Sequence, residues 1–206
     1  MKLYEAESPN ALRVWVFMAE KGIEIPRVPV DLFKGGNLAE DYLAKNPMGR
    51  VPVLELDDGS YLSESVAICR YLEGVQPEPN LFGKDALDMA RIEMWNRRAE
   101  INFFGNVAMA FRNLTGIFKD RETCVPEWGK VAAEEARNKL GVFETRLGES
   151  EYVAGDRFTI ADITLAVAIR FAERVQGMGN FDVEIARPHI ERWLDVVVKR
   201  PSFANR

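Results

Sequence analysis

Short apolar runs and helix-spaced apolar positions alternate over the first third of this chain, and only helix-spaced positions follow. Residues 2–5 have the length and pattern of a short strand. Residues 10–21 repeat apolar positions at helical steps and run into Gly22, a residue suited to closing a helix. Val28 and Val30 mark a second strand, partly broken by Pro26 and Pro29. Residues 37–45 predict a short helix. It ends at Asn46-Pro47, because the residue before a proline is driven out of the α region. Residues 51–56 and 61–62 are the arms of a hairpin favoured by Asp58-Gly59. Residues 64–73 then place Ser65, Ile68, Cys69 and Leu72 on one helical face. The order is βαβαββα, a small α/β unit over residues 1–75.

Prolines and a glycine mark 76–83 as a linker. From 84 to 206 the pattern predicts helices alone. Ile92, Trp95, Ala99, Phe103, Val107, Ala110 and Leu114 recur at steps of three and four, as one face of a long helix. Ala132, Ala136, Leu140, Phe143 and Leu147 repeat the pattern. Thr159-x-x-Asp162 opens another apolar helix as a capping box with Asp in place of Glu or Gln. A last main helix runs from Ile190 to Val198, limited by Pro201.

Composition narrows the chemistry. Hydrophobic residues at 47% and charged residues at 29% fit an ordinary soluble globular protein. A net charge of −5 gives neither a nucleic-acid footprint nor a basic membrane patch. No apolar run has membrane-spanning length and no signal-peptide core is recognisable, so a cytoplasmic location with no membrane partner is expected. Cys69 and Cys124 form no CxxC, which argues against a disulfide framework and a structural zinc site. One histidine, His189, leaves too little for a histidine-rich metal site or a Ser-His-Asp triad. No metal is expected.

The stretch NPMGRVPVLELDDGSYLSES, residues 46–65, carries the sharpest question. Pro52 sits between two strand-like valines, and proline has no N–H to give a sheet ladder. It makes sense there with a cis peptide bond, starting a strand at an active-site edge. The block NPMGRVPVLELDDG-SYLSESVAICRYLE, together with FTIADITLA in the helical half, resembles the glutathione S-transferase family over nearly the whole chain. That resemblance implies an N-terminal thioredoxin-like α/β domain and an all-α C-terminal domain that contributes a pocket for hydrophobic electrophiles. It implies glutathione as co-substrate and a homodimer. It also implies that Pro52 is cis and that Val51 pairs its backbone with the cysteinyl residue of glutathione, a small β-augmentation. Glu64 and Ser65 then take the γ-glutamyl end, and Arg50 and Lys34 are candidates for the glycyl carboxylate. Elementary chemistry agrees for two of these. Ser65 stands in the first turn of a helix, where backbone N–H groups and the dipole attract a carboxylate, and Glu64 can pair with an ammonium group.

The thiol needs a separate device, because the thiolate is the nucleophile. In the segment LYEAESPNALRVWVF, Ser8-Pro9 reads as N-cap and first helical residue. Ser8 is the first candidate for donating to the sulfur. In serine-type members of the family the catalytic serine lies four residues before the arginine of the first helix, and here that position is Pro9. The SPNA loop looks like that of an atypical bacterial and fungal subgroup without a clearly assigned Tyr, Ser or Cys. Asn10, whose amide also donates, is therefore the second candidate. Tyr4 is expected in the core, and the absence of a cysteine from the loop disfavours reductase chemistry. Candidate walls of the electrophile pocket are Phe103, Phe104, Phe111 and Phe118. Three functions follow from the resemblance: conjugation of glutathione to electrophiles, glutathione-dependent peroxide reduction on the same site, and a non-catalytic glutathione-binding module.

Overall fold

The valines on either side of Pro52 do not share a strand. In the computed structural model, which describes residues 1–204, β3 (Val53–Glu55) begins directly after the proline. Around it stand β1 (Lys2–Glu5), α1 (Pro9–Lys21), β2 (Arg27–Pro29), α2 (Glu40–Leu43), β4 (Tyr61–Ser63) and α3 (Ser65–Val75). The sheet order is β2-β1-β3-β4. β1 and β2 are parallel, as the crossover through α1 allows, and the other pairs are antiparallel. At the hairpin, Asp58 accepts from the Ser60 amide at 2.9 Å and the Ser60 hydroxyl at 2.6 Å, while Gly59 takes φ 84°. The carboxylate at Asp58 thus belongs to the turn.

α1 and α3 pack against each other. Val14, Phe17, Ile68, Cys69 and Leu72 are fully buried, as are Leu3, Val53 and Leu54 of the sheet. The expected helix over 37–45 splits instead into a 3-10 turn (Gly36–Leu38) and α2, with Ala39 extended at ψ 146°. The reason lies at both ends of the turn. Gly36 hydrogen-bonds the Asp31 carbonyl at 2.7 Å, and the Asn37 amide is drawn inward to the Gly49 carbonyl at 2.7 Å.

Two compact units divide the chain, and their limits differ from 75 and 84. The first contains Met1–Leu81 together with residues 201–204, and the second is Phe82–Arg200. A buried lysine explains the added linker. The Lys21 ammonium pairs with Glu73 at 2.5 Å and donates to the Pro77 and Pro79 carbonyls at 3.0 and 2.5 Å. Glu73 also accepts from the Leu81 amide at 3.0 Å. At the other end of the chain, a 3-10 turn (Pro201–Phe203) lies on α1, and Ser202 donates to Glu20 at 2.5 Å.

The second unit is helical: α4 (Ala86–Arg97), a π-helical stretch (Arg98–Phe104), α5 (Gly105–Thr115), α6 (Pro126–Glu149), α7 (Ile160–Val175) and α8 (Pro188–Val198). The π-helical stretch accounts for the sequence spacing. From Trp95 through Ala99 and Phe103 to Val107 the step is always four, which in a regular α-helix drifts by roughly 120° from the starting face. A wider i→i+5 turn keeps these positions aligned, and Ala99, Phe103 and Val107 are all fully buried. α6 buries Ala132, Ala136, Leu140, Phe143 and Leu147, the stripe its periodicity predicts. Among the described residues, no helix is long and apolar enough to cross a membrane.

Candidate functional site

Strand register brings three segments to one end of the sheet. Tyr4 lies beside Val53, and Val53 beside Ser63. The chain leaving β1 toward Ser8, the chain entering β3 through Val51-Pro52, and the chain leaving β4 toward Glu64 therefore all emerge there. These are the segments that carry most of the expected site residues. Lys34 is a different case: it is exposed, and its ammonium pairs with Asp31 at 3.3 Å on its own loop. Arg50 is exposed on the approach to Val51.

That approach is held from below by polar side chains that the sequence reading passed over. Tyr42 and the Asn46 amide both donate to the Arg50 carbonyl at 2.8 Å, and Asn37 donates to the Gly49 carbonyl. All three side chains are buried. Burial raises the Tyr42 pKa, so it stays a neutral donor. Gly49 sits at φ 60°, where a side chain would also press on the Asn37 carbonyl at 3.2 Å. The Val51–Pro52 bond is cis, as the resemblance implies. Val51 lies outside both strand registers, so its backbone groups are not ladder partners.

The start of α3 departs from the expected form. Glu64 is not in the helix but at its N-cap position, with φ 66° and ψ 112°, and its side chain makes no capping bond. Positive φ in a residue with a Cβ is unfavourable and collects at functional positions. The Glu64 side chain is exposed; Ser65, the first helical residue, is buried. The Ser65 hydroxyl accepts from Arg13 Nη1 at 2.6 Å, and the same nitrogen donates to Asn10 Oδ1 at 3.2 Å. Arg13 of α1 is fully buried. Its signal in the sequence is a cation inside the apolar helical pattern of residues 10–21.

At the start of α1, Ser8 is the N-cap and accepts from the Ala11 amide at 3.2 Å. That bond uses a lone pair and leaves the hydroxyl proton for another partner. Ser8 and Asn10 are both half-buried. Tyr4 is engaged elsewhere: its hydroxyl donates to Glu55 at 2.7 Å, and that bond pushes its pKa up to about 12. Of the aromatic candidates in the helical unit, Phe103 is fully buried against Phe143 and belongs to the core. Phe104 and Phe111 both meet the edge or face of Phe171, with ring centroids at 6.1 and 5.3 Å. Phe118 stacks with Arg112 at 4.8 Å. Among the described residues, no group of His, Cys, Asp and Glu is arranged to hold a metal ion.

Known proteins share this fold. Residues 7–75 match the family described as glutathione S-transferase, N-terminal domain, and residues 95–195 match glutathione S-transferase, C-terminal domain. Glutathione S-transferase 2 of Saccharomyces cerevisiae is 35% identical over 98% of this chain and 87% of its own length. A glutathione S-transferase domain-containing protein of Marinobacter aquaeolei superposes with TM-score 0.92 at 39% identity, covering 98% of this chain and all of its own. A glutathione S-transferase class Gtt2 of Vibrio parahaemolyticus is 41% identical, with TM-score 0.85, over 100% and 96% of the two chains. With both domain matches falling on a thioredoxin-like sheet and a helical unit, the chain belongs to the glutathione S-transferase family.

Proposed function

We propose that this protein conjugates the glutathione thiolate to hydrophobic electrophiles. The observation that carries the reading is the convergence of Val51-Pro52, Glu64-Ser65 and the start of α1 at one end of the sheet. In this reading Val51 pairs its backbone with the cysteinyl residue of glutathione. The first-turn amides of α3 and the Ser65 hydroxyl receive the γ-glutamyl carboxylate, and Glu64 faces its ammonium group. Arg50 lies toward the glycyl carboxylate, with Lys34 as the alternative. Ser8 or Asn10 donates to the sulfur and holds it as thiolate. The thiolate then attacks the electrophilic carbon, a C–S bond forms, and the leaving group departs with the electron pair. A reducing cytoplasm suits a thiol co-substrate, and the family suggests a homodimer. Leu87, Met94 and Ile101, exposed at steps of seven along α4 and the π-helical stretch, support a covered face on the helical unit.

Glutathione titration by calorimetry, beside turnover of a generic aryl halide, tests the proposal. Binding with turnover is expected; no binding at millimolar glutathione contradicts it. A second reading, a non-catalytic glutathione-binding module, draws on the loop itself. The Tyr4 hydroxyl is spent on Glu55, and the position four residues before Arg13 is Pro9, which has no hydroxyl. Binding without turnover of any electrophile or peroxide favours that reading.

A further inference from the structure

We infer that Arg13 is a positioning residue that fixes Ser65 and Asn10 as hydrogen-bond donors, so that the site accepts anions at two places; this rests on the glutathione reading above. A guanidinium has five N–H donors and no acceptor. Any neutral polar group that meets it must turn an oxygen toward it. Arg13 is fully buried, and its Nη1 meets two such oxygens: Ser65 Oγ at 2.6 Å and Asn10 Oδ1 at 3.2 Å. The consequence differs for each partner. A serine hydroxyl gives and accepts with equal ease, but with a lone pair held by the cation its remaining strong interaction is to donate. A side-chain amide presents oxygen on one side and NH2 on the other. With Oδ1 pinned to the guanidinium, the NH2 of Asn10 faces away from it.

The chemistry of glutathione makes this polarity useful. The γ-glutamyl carboxylate and the thiolate are both acceptors only. A serine or asparagine that could turn its oxygen toward either would repel it. One guanidinium, joining the starts of α1 and α3, holds both side chains in the orientation an anion needs. The same cation adds a favourable potential at both places, since it is buried and little screened. Arginine suits this role better than lysine, whose compact ammonium lacks the planar fork that serves two acceptors in fixed directions.

A purely structural tie between α1 and α3 would make the same two bonds, so the test needs a readout that such a tie leaves unmoved. S-methylglutathione carries the carboxylate but no ionisable thiol, and its dissociation constant is measured by calorimetry for the wild type, Arg13→Gln, Ser65→Ala and the double variant. Arg13→Gln and Ser65→Ala are each expected to weaken binding roughly ten- to a hundredfold, as for one charge-assisted hydrogen bond. In the Ser65→Ala background, Arg13→Gln is expected to add less than about threefold. The second readout is the thiolate absorbance of bound glutathione against pH. Arg13→Gln should raise the bound thiol pKa, and should do so less once Asn10 is alanine. Equal effects of Arg13→Gln in both Ser65 backgrounds, or an unchanged dissociation constant and thiol pKa in a folded variant, overturn the inference. Where Arg13→Gln does not fold, Arg13→Lys runs the same cycle, and a loss of affinity that is equal in both Ser65 backgrounds overturns the inference. Failure of the wild type to bind S-methylglutathione instead removes the glutathione reading and this inference with it.

Discussion

Two helices of this protein begin in opposite ways. At the start of α7, Thr159 caps the Ala161 amide at 3.3 Å, and Asp162 accepts from the Thr159 amide and hydroxyl at 2.9 and 3.2 Å. The other oxygen of Asp162 accepts from the Val153 amide and the Trp193 indole, both at 2.9 Å. Thr159, Asp162 and Trp193 are all buried. At the start of α3 a serine and a glutamate are also present, yet neither caps the helix. Glu64 takes φ 66° with its side chain outward, and Ser65 turns its oxygen to Arg13. A helix start that consumes its own polar groups serves stability. Under the proposed function, the one that holds them apart by a positive φ and a buried cation is the start that receives the ligand.

The sharpest way to break this contrast is at α7. Asp162→Ala leaves two backbone amides and an indole N–H without their acceptor, and should lower the unfolding free energy by about 3–5 kcal/mol. A lost cap alone would cost only about 1 kcal/mol. Denaturant titration reads the loss, while glutathione affinity of the folded fraction should stay within about twofold. A stability near that of the wild type with lost activity would make Asp162 a site residue.

Acidity sharpens the same end of the comparison. Burial pushes the Asp162 carboxyl up to about 6, against 3.8 in the unfolded chain. The folded state therefore holds a proton that the unfolded state has lost between these values. The proton-linked part of its stability is full below about pH 4 and is lost as pH rises through about 6. At 1.36 kcal/mol per unit the change is about 3 kcal/mol. The difference in unfolding free energy between wild type and Asp162→Asn should fall across that window, and a rise would mean that the four donors outweigh burial.

At α3 and α1 the expected stability effects are small and differ in sign. Glu64→Gly removes the Cβ from a positive-φ position, so stability should be unchanged or higher by at most about 1 kcal/mol. Thr159→Gly, at a φ of −143° and with a working cap, should lose stability instead. A large loss in Glu64→Gly would show a structural role for its side chain. Ser8→Ala should cost about 1 kcal/mol as an ordinary cap. If Ser8 also donates to sulfur, the bound thiol pKa rises in that variant more than in Asn10→Ala; the reverse order assigns the donor to Asn10.

The parts that could be read in advance are those where local chemistry decides. The Asp58-Gly59 turn, the α6 stripe from Ala132 to Leu147 and the Thr159–Asp162 box depend on residues a few positions apart, and all three formed. What escaped depends on distant partners. Arg13 looks like an interruption in an apolar face until Ser65, 52 positions away in sequence, accepts from it. Lys21 is the same case, since its acceptors lie on the linker. Asn37, Tyr42 and Asn46 read as the start, body and stop of a short helix, whereas their partners are carbonyls of the following loop. The positive φ of Glu64 left no trace either, since glutamate rarely adopts it and the sequence marks such positions only through glycine or asparagine.

The most direct test of the central claim is the glutathione affinity of Glu64→Ala and Ser65→Ala, measured by calorimetry at fixed pH and salt beside Asp162→Asn. Losses of roughly ten- to a hundredfold at each α3 position, with the denaturant midpoint held, are expected where a charge-assisted contact to the ligand is removed. Asp162→Asn should show the opposite pattern, a lowered midpoint with affinity kept. Unchanged glutathione affinity in both α3 variants would mean that the open start of α3 does not receive the γ-glutamyl end, and the contrast between the two helix starts would lose its functional meaning.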